Sequence, residues 1–195
     1  MPRDAERTRR LLREAAAAEF AEHGLHGTTI ERIAARAGVN KERLYNYFGD
    51  KAALFAAVVS EQLTRIATEV PLAAGSVAEV AEFAAQAFDY QLDHPDLGRL
   101  VVWEGISDSG VLPDEGVRTR LYREKVALLQ DAQQVGTISS AIPAPHLLFL
   151  LLSLASWWVA APQLARMITG APEGDMDRSA RRAAVAEAAH RLAHP

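Results

Sequence analysis

Apolar residues recur at helical spacing along almost the whole chain. Between Arg7 and His23, the residues Leu12, Ala16 and Phe20 follow one another at four-residue steps, which places them on one face of a helix. Gly24 is expected to end this helix. The alternating β-branched runs typical of strands do not occur, and Ala, Leu, Glu and Arg dominate. The pattern predicts an all-α fold.

A second, short helix is predicted to start near residue 28. Thr28 is followed three residues later by Glu31, the spacing of a capping box, in which each side chain bonds a free backbone N–H of the first turn. Ile30, Ile33 and Ala34 then face inward. The helix is predicted to end at Gly38, which can adopt the left-handed conformation of a turn.

A third helix of about two turns is predicted to follow. Asn40 is a favourable N-cap, Leu44 and Phe48 lie on the inner side, and Gly49 ends the helix. Asp50 is then expected to cap a longer helix. Further along, the apolar periods predict helices near 77–93, 96–108, 114–134, 144–169 and 176–193, joined by Gly- and Pro-rich connections.

The most apolar segment, residues 147–161, raises the question of a membrane. It is shorter than the roughly 20 residues that cross a bilayer, and prolines at 143, 145 and 162 flank it. We interpret it as a buried helix, in the core or at a subunit interface. The first 20 residues alternate charges with alanines, unlike a secretory signal. A cytoplasmic protein without a membrane partner is therefore expected.

Composition argues against several kinds of chemistry. The chain has no cysteine, which removes disulfides, thiolate metal sites and cysteine nucleophiles. Its six histidines are scattered, and Gly24 separates the closest pair, His23 and His26. No G-x-S-x-G, P-loop or G-x-G-x-x-G string occurs. We expect no metal, no cofactor and no enzymatic activity.

Charge is distributed unevenly along the chain. The formal net charge is −4, but residues 1–51 contain ten Lys and Arg against eight Asp and Glu, and the remainder contains 11 against 17. A weakly basic N-terminal module therefore precedes an acidic body. Such asymmetry is typical of a nucleic-acid-binding module attached to a second domain.

The predicted third helix carries an unusually polar outer face. With Leu44 and Phe48 inward, the outward side chains are Lys41, Glu42, Arg43, Asn46 and Tyr47. Arg and Lys can donate to guanine, Asn can pair with adenine, and Glu can accept from cytosine. Two short helices joined by a tight turn form a helix–turn–helix, which presents its second helix to the major groove of DNA. The alternative interpretation is a solvated helix face.

The segment TTIERIAARAGVNKERLYNYFGDKAALF (28–55) resembles the DNA-binding domain of the TetR (tetracycline repressor) family. The resemblance covers about residues 5–60. It implies an N-terminal three-helix DNA-binding domain at 1–51 and a larger helical ligand-binding and dimerisation domain at 52–195. It also implies a homodimer that binds a near-palindromic double-stranded DNA operator.

The resemblance assigns DNA contacts residue by residue. Lys41 and Arg43 would face bases or phosphates, Tyr45 and Tyr47 would touch phosphate or a thymine methyl, and Lys51 would bind phosphate at a helix N-terminus. Thr29 would make a backbone contact. Glu42 departs from the family pattern, which has a small residue there. Whether Glu42 meets a cytosine amine or pairs with Lys41 or Arg43 stays open.

The C-terminal helices of the family form a four-helix dimer interface, and two segments here resemble them. The residues expected at the interface are Leu147, Leu151, Leu154, Trp158, Ala184 and Ala188. The alternative is that these residues pack within one subunit.

The central helices are rich in aromatic residues, which commonly line apolar ligand pockets. The expected ligand-binding residues are Phe83, Phe88, Trp103, Ser107, Tyr122 and Trp157. Core packing is the alternative. Taken together, the sequence predicts a repressor that a small apolar or aromatic effector releases from DNA. The alternative function is a helical enzyme or small-molecule carrier with an incidental helix–turn–helix.

Overall fold

The computed structural model describes residues 2–106, 115–170 and 177–195, and every regular element within these ranges is an α-helix. The predicted all-α class is therefore confirmed. The helices are α1 (Pro2–Gly27), α2 (Ile30–Ala37), α3 (Lys41–Phe48), α4 (Lys51–Glu69), α5 (Val77–Asp93), α6 (Pro95–Ile106), α7 (Glu115–Gln134), α8 (Ala144–Ala160), α9 (Pro162–Thr169) and α10 (Arg178–Ala193).

The chain divides into two compact units. The first comprises residues 1–65 and 96–115, and the second comprises residues 66–95 and 116–195. The first unit therefore contains α1, α2, α3, most of α4 and α6. The functional boundary expected at residue 51 stays a prediction.

The core of the first unit forms where α1 meets the short helices and α4. Leu12 and Phe20 of α1 and Leu44 of α3 are fully buried. Phe20 meets Phe55 of α4 edge to face, with ring centroids 5.1 Å apart, a favoured aromatic geometry. The stripe predicted for the first helix is thus the surface on which α3 and α4 pack.

The regular part of helix α1 ends at Gly24, as the sequence predicted, but the helix resumes after this kink and continues to Gly27. Gly24 has φ 68° and ψ −179°, a conformation that side chains disfavour. The indole of Trp103 on α6 packs against this kink, and its Nε1 donates to the Ala21 carbonyl oxygen at 3.3 Å. Glycine is needed here because a Cβ would lie 2.7 Å from the Trp103 ring.

The sequence predicted Thr28 as the N-cap of α2, and this prediction is wrong by one residue. Thr29 is the N-cap of α2, and its hydroxyl oxygen accepts from the Arg32 N–H at 3.3 Å. The Thr28 hydroxyl instead donates to the buried Glu19 carboxylate at 2.8 Å. The other predicted caps are confirmed: Asn40 caps α3, and Asp50 accepts from the Ala53 N–H at the start of α4.

In the second unit, α5 packs against both α8 and α10. Phe83 and Phe88 of α5 are buried, together with Leu147 and Leu151 of α8 and Val185 of α10. A partly buried polar contact joins two of the helices, since Gln91 Nε2 on α5 donates to Ser156 Oγ on α8 at 2.8 Å. The unit therefore has its own apolar core.

The helix predicted over 144–169 is two helices, α8 and α9, which meet at an angle of 90°. Pro162 is the first residue of α9, where its missing N–H costs no helical hydrogen bond. Within the described residues, no single helix has the length and apolarity to span a membrane. The bent pair of α8 and α9 reaches that length and apolarity only when the two helices are counted together.

Candidate nucleic-acid interface

The turn between α2 and α3 has the conformation that the sequence predicted. Gly38 is left-handed at φ 64°, and the Val39 N–H donates to the Ala34 carbonyl at 3.0 Å, which closes the end of α2. Asn40 Oδ1 then accepts from the Glu42 N–H at 3.1 Å. These local bonds fix the direction in which α3 leaves the turn.

Helix α3 has one buried side and one exposed polar side. Leu44 has no exposed surface, and Phe48 is half-buried beneath the guanidinium of Arg13, 5.7 Å from its ring centroid. The side chains that the structure leaves exposed are Lys41, Glu42, Arg43, Tyr45 and Asn46. Apart from Tyr47, the predicted reading face is therefore accessible to a macromolecule.

The two tyrosines of α3 differ in their surroundings. Tyr45 is 47% exposed, whereas Tyr47 is half-buried beneath Arg9, whose guanidinium carbon lies 5.0 Å from the ring centroid. The sequence analysis placed Tyr47 among the side chains that face outward. The structure shows that Tyr47 is the packed one, because α1 passes over it.

The charged side chains of α3 have neighbours outside the helix. Lys41 Nζ lies 3.4 Å from Glu31 of α2, and Arg43 Nη1 lies 3.5 Å from the Thr8 hydroxyl of α1. Within the described residues, Glu42 forms no ion pair with Lys41 or Arg43. Its carboxylate therefore lies exposed on the reading face.

Lys51 and Thr29 lie at the edges of the helix–turn–helix. Lys51, the first residue of α4, is half-buried, and its ammonium donates to the Thr28 carbonyl at 2.9 Å. Thr29 is exposed, and its hydroxyl oxygen accepts from the Arg32 backbone N–H. The sequence assigned DNA contacts to both residues, and these assignments stay predictions.

A buried carboxylate, which the sequence interpretation missed, attaches α2 to α1. Glu19 accepts from Thr28 at 2.8 Å and lies 3.1 Å from both Arg32 and Arg36. Burial tends to raise the pKa of Glu19, but the hydrogen bonds from Thr28 and Arg36 and the charge of Arg32 outweigh it and hold the pKa below its ordinary value. The sequence signal was weak, because a glutamate in a helix is usually exposed and nothing within its own alanine-rich segment (AAAAEFA, 15–21) indicates a partner.

The residues expected at the dimer interface occupy different environments. Leu147 and Leu151 are fully buried in the core of the second unit, so the assignment of these two to a subunit contact is corrected. Leu154, Trp158 and Ala188 are half-buried and Ala184 is exposed. The outer side of α8 instead exposes Phe149 (71%), Trp157 (62%) and Leu150 (39%).

The residues expected to bind a ligand have different surroundings where the structure describes them. Phe83 and Phe88 fill the core around α5, whereas Tyr122 and Trp157 are exposed. Trp103 belongs to the first unit, where it packs on α1, and Ser107 lies outside the described residues.

Lys125 of α7 was not among the candidates. Its ammonium donates to the Val70 carbonyl at 3.2 Å and lies 5.1 Å from the Phe83 ring centroid. Burial lowers its pKa. Over the described parts of the chain, no three His, Asp or Glu side chains come together as a metal site.

These features define a helix–turn–helix protein whose second helix, α3, has an exposed polar side. Comparison with known protein families and relatives agrees with this class. The family "Bacterial regulatory proteins, tetR family" matches residues 12–58, and "Tetracyclin repressor-like, C-terminal domain" matches residues 79–191. The transcriptional repressor SCO4008 of Streptomyces coelicolor is 41% identical over 191 residues, 97% of each chain.

Two further proteins are similar over most of their length. The transcriptional regulator RutR of Escherichia coli K12 is 30% identical over 159 residues, 78% of this chain and 74% of RutR. The crystal structure of the transcriptional regulator SCO4942 of S. coelicolor has a TM-score of 0.81 and 30% identity, and the match covers 95% of this chain and 98% of that one. The chain belongs to the TetR family of DNA-binding transcriptional regulators.

Proposed function

We propose that this regulator is a sequence-specific repressor that binds a near-palindromic operator as a homodimer and leaves it when a small apolar or aromatic ligand binds. The observation that carries the proposal is the two-sided α3, in which Leu44 is fully buried while Lys41, Arg43 and Asn46 are exposed. An anchored inner side gives the outer side chains a fixed orientation towards base edges. The repressor assignment is supported by the 41% identity to SCO4008, a transcriptional repressor.

The test is selection of bound fragments from random double-stranded DNA, followed by titration of the selected site at several salt concentrations. A regulator of this kind selects one motif with two related half-sites, and its affinity falls steeply as salt rises. Absence of DNA binding even at low salt would favour the alternative, a helical enzyme or small-molecule carrier.

Two variants separate phosphate binding from base reading. Lys51→Ala is expected to weaken binding to all sequences alike and to reduce the salt slope by about one, as the loss of a phosphate contact does. Arg43→Ala is expected to relax preference at one operator position, at a cost of about 1–3 kcal/mol. Because Lys51 also donates to the Thr28 carbonyl, the thermal melting of the Lys51→Ala protein is measured as well, to detect any loss of stability. Equal losses on specific and random DNA for Arg43→Ala would refute its role as a base reader.

The effector site is proposed for the second unit. The half-buried ammonium of Lys125 beside the Phe83 ring supports a site that takes an apolar or aromatic molecule oriented by one polar group. In a dimer, such a ligand would shift the spacing of the two recognition helices away from one DNA turn, about 34–36 Å. By linkage, operator DNA must weaken ligand binding by the same factor.

A compound library screened for release of labelled operator tests this mode of regulation. The expected active compounds are apolar or aromatic, and their affinity for the protein falls when operator is present. Lys125→Met is expected to weaken the response while leaving operator binding without ligand unchanged. Release by a metal ion or a nucleotide instead would contradict the proposal.

A further inference from the structure

We propose that Thr8 and Arg9 of α1, which lie outside the helix–turn–helix, are positioning residues that set the sequence preference of α3 by holding Arg43 and Tyr47. The inference rests on the proposed DNA-binding function and adds to it a source of specificity in another helix. Its starting point is that the two contacts join consecutive residues of α1 to two side chains of the recognition helix.

The first contact restrains Arg43. Its Nη1 lies 3.5 Å from the Thr8 hydroxyl oxygen, at the long end of hydrogen-bond distances, so the contact orients the guanidinium rather than binding it tightly. Thr8 is 5% exposed and therefore fixed, whereas Arg43 is exposed. A guanidinium has five N–H donors, and one directed at Thr8 leaves the others for a guanine edge or a phosphate.

The second contact restrains Tyr47. Arg9 covers its ring at 5.0 Å, within the range of a cation–π interaction. With one ring face covered and the residue half-buried, Tyr47 has fewer orientations in which it can meet DNA than an exposed tyrosine has. Tyr45 on the same helix is 47% exposed and lacks this cover, so the two tyrosines should tolerate different bases.

The space beside these contacts is open to DNA. An open cavity of about 410 Å³ lies here, and its lining consists of Arg7, Thr8 and Leu11 of α1, the turn 38–40 and Arg43. Arg43 could extend into other rotamers there if Thr8 did not hold it. Restricting a flexible side chain before binding lowers the entropy lost on docking and narrows the set of bases it can meet.

The test compares base preferences, position by position, for the full-length protein and its variants in random-DNA selection. Arg9→Ala is paired with Arg10→Ala, which removes the same charge from an adjacent, exposed residue that pairs with Glu14. We expect Arg9→Ala to reduce discrimination by about fivefold to tenfold at one position in each half-site, within the range of a single base contact. Arg10→Ala should only weaken binding to all sequences alike.

Thr8 is tested by one substitution that removes the hydroxyl and one that retains it. Thr8→Val removes the acceptor at nearly constant volume and should reduce discrimination at the position that Arg43→Ala affects. Thr8→Ser retains the acceptor and should restore the wild-type preference. Thermal melting of each variant separates a change in base preference from loss of folding. If Thr8→Val does not fold, Arg9→Ala alone tests whether α1 sets the base preference of α3.

Double variants show whether the α1 residues act through α3. Arg9→Ala should change nothing further at its position once Tyr47 is Ala, and Thr8→Val should change nothing further once Arg43 is Ala. A wild-type motif with unchanged profiles in Arg9→Ala and Thr8→Val would overturn this inference and leave the proposed function intact. If the wild-type protein selects no motif, the proposed function fails and this inference fails with it.

Discussion

At the scale of single residues, Gly24 shows how one missing side chain permits a contact between two helices. Its backbone has φ 68° and ψ −179°, and a Cβ would lie 2.7 Å from the Trp103 ring. We expect Gly24→Ala to lower the free energy of unfolding by at least about 2 kcal/mol, from backbone strain together with the displaced indole. Urea denaturation followed by tryptophan fluorescence measures this.

Gly105 supplies the matched control for that substitution. It lies in α6, is exposed, and has nothing within 4 Å of the position that a Cβ would take. Gly105→Ala should therefore leave stability unchanged or raise it by up to about 1 kcal/mol, through helix propensity. If Gly24→Ala were as stable as Gly105→Ala, that result would contradict the close contact between the Trp103 indole of α6 and Gly24 of α1.

Glu19 predicts a dependence of stability on pH. Its pKa in the folded protein is held below the ordinary value of 4.5, so its ionised form stabilises the fold. That stabilisation is present above about pH 4.5 and is lost as the pH falls through the lower folded pKa. Glu19→Gln should lower the free energy of unfolding at pH 7 by about 1–3 kcal/mol and flatten its decline in acid.

Equilibrium unfolding between pH 3 and pH 7 measures this difference. The control is Glu22→Gln on the same helix, since the side chain of Glu22 is 59% exposed and lies 3.9 Å from Arg36. Its unfolding curve should follow the wild type. Parallel pH profiles for the wild type and Glu19→Gln would show that the carboxylate of Glu19 is not responsible.

Caps illustrate which residue-scale features the sequence could predict. Asn40 and Gly38 were predictable because their roles depend only on neighbours within one turn. The choice between Thr28 and Thr29 was not, because both hydroxyls fit a cap and the decision comes from Glu19, nine residues earlier in the chain. Similarly, the cover of Tyr47 by Arg9 depends on how α1 crosses α3.

At the scale of elements, a network of ion pairs joins α5 to α10. Arg178 contacts Asp89 and Asp93, and Arg182 contacts Asp89 and Glu82, at distances of 2.6–2.9 Å. Asp93 lies beside Arg178, whose hydrogen bonds lower the pKa of that carboxyl. Because Asp89 is shared by both arginines, it is the centre of the network.

Asp89→Ala should therefore loosen the attachment of α10 to α5. We expect a decrease in melting temperature of about 2–4 °C at low salt, which shrinks as salt screens the network. The control is Glu187→Ala, which removes only the pair with Arg191 on the same helix and should leave the melting temperature almost unchanged. A decrease independent of salt would indicate that Asp89 acts through packing rather than charge.

Helix α8 shows where the element-scale prediction reached its limit. Nearly every residue of 147–158 is apolar, so the sequence predicted burial but contained no periodicity to distinguish the sides of the helix. The structure directs Leu147 and Leu151 towards the core and leaves Phe149 and Trp157 exposed. The position of α5 decides this, and a single sequence does not reveal which apolar face it covers.

At the scale of the whole molecule, the exposed apolar side of α8 bears on assembly. Phe149 is 71% exposed and Trp157 is 62% exposed in the single chain. Large apolar side chains grouped on one surface are typical of protein interfaces. We therefore assign the proposed dimer contact to this side of α8, with Ala184 and Ala188 of α10, rather than to Leu147 and Leu151.

This assignment predicts different outcomes for neighbouring substitutions. Phe149→Asp should give a folded monomer, because the side chain is exposed in the protomer but would be buried in the dimer. Leu151→Asp should unfold the second unit instead, because its side chain has no exposed surface and a buried carboxylate would be unpaired. Circular dichroism and sedimentation at micromolar concentration distinguish the two.

Val135→Asp is the control, since Val135 is 78% exposed and follows the end of α7 instead of belonging to α8. It should remain a dimer. The monomeric Phe149→Asp protein should also bind the full operator no better than a single half-site, because only a dimer presents two recognition helices at once. If Phe149→Asp sediments as a dimer, the subunit contact lies on another surface; a wild-type monomer would contradict the proposed homodimer itself.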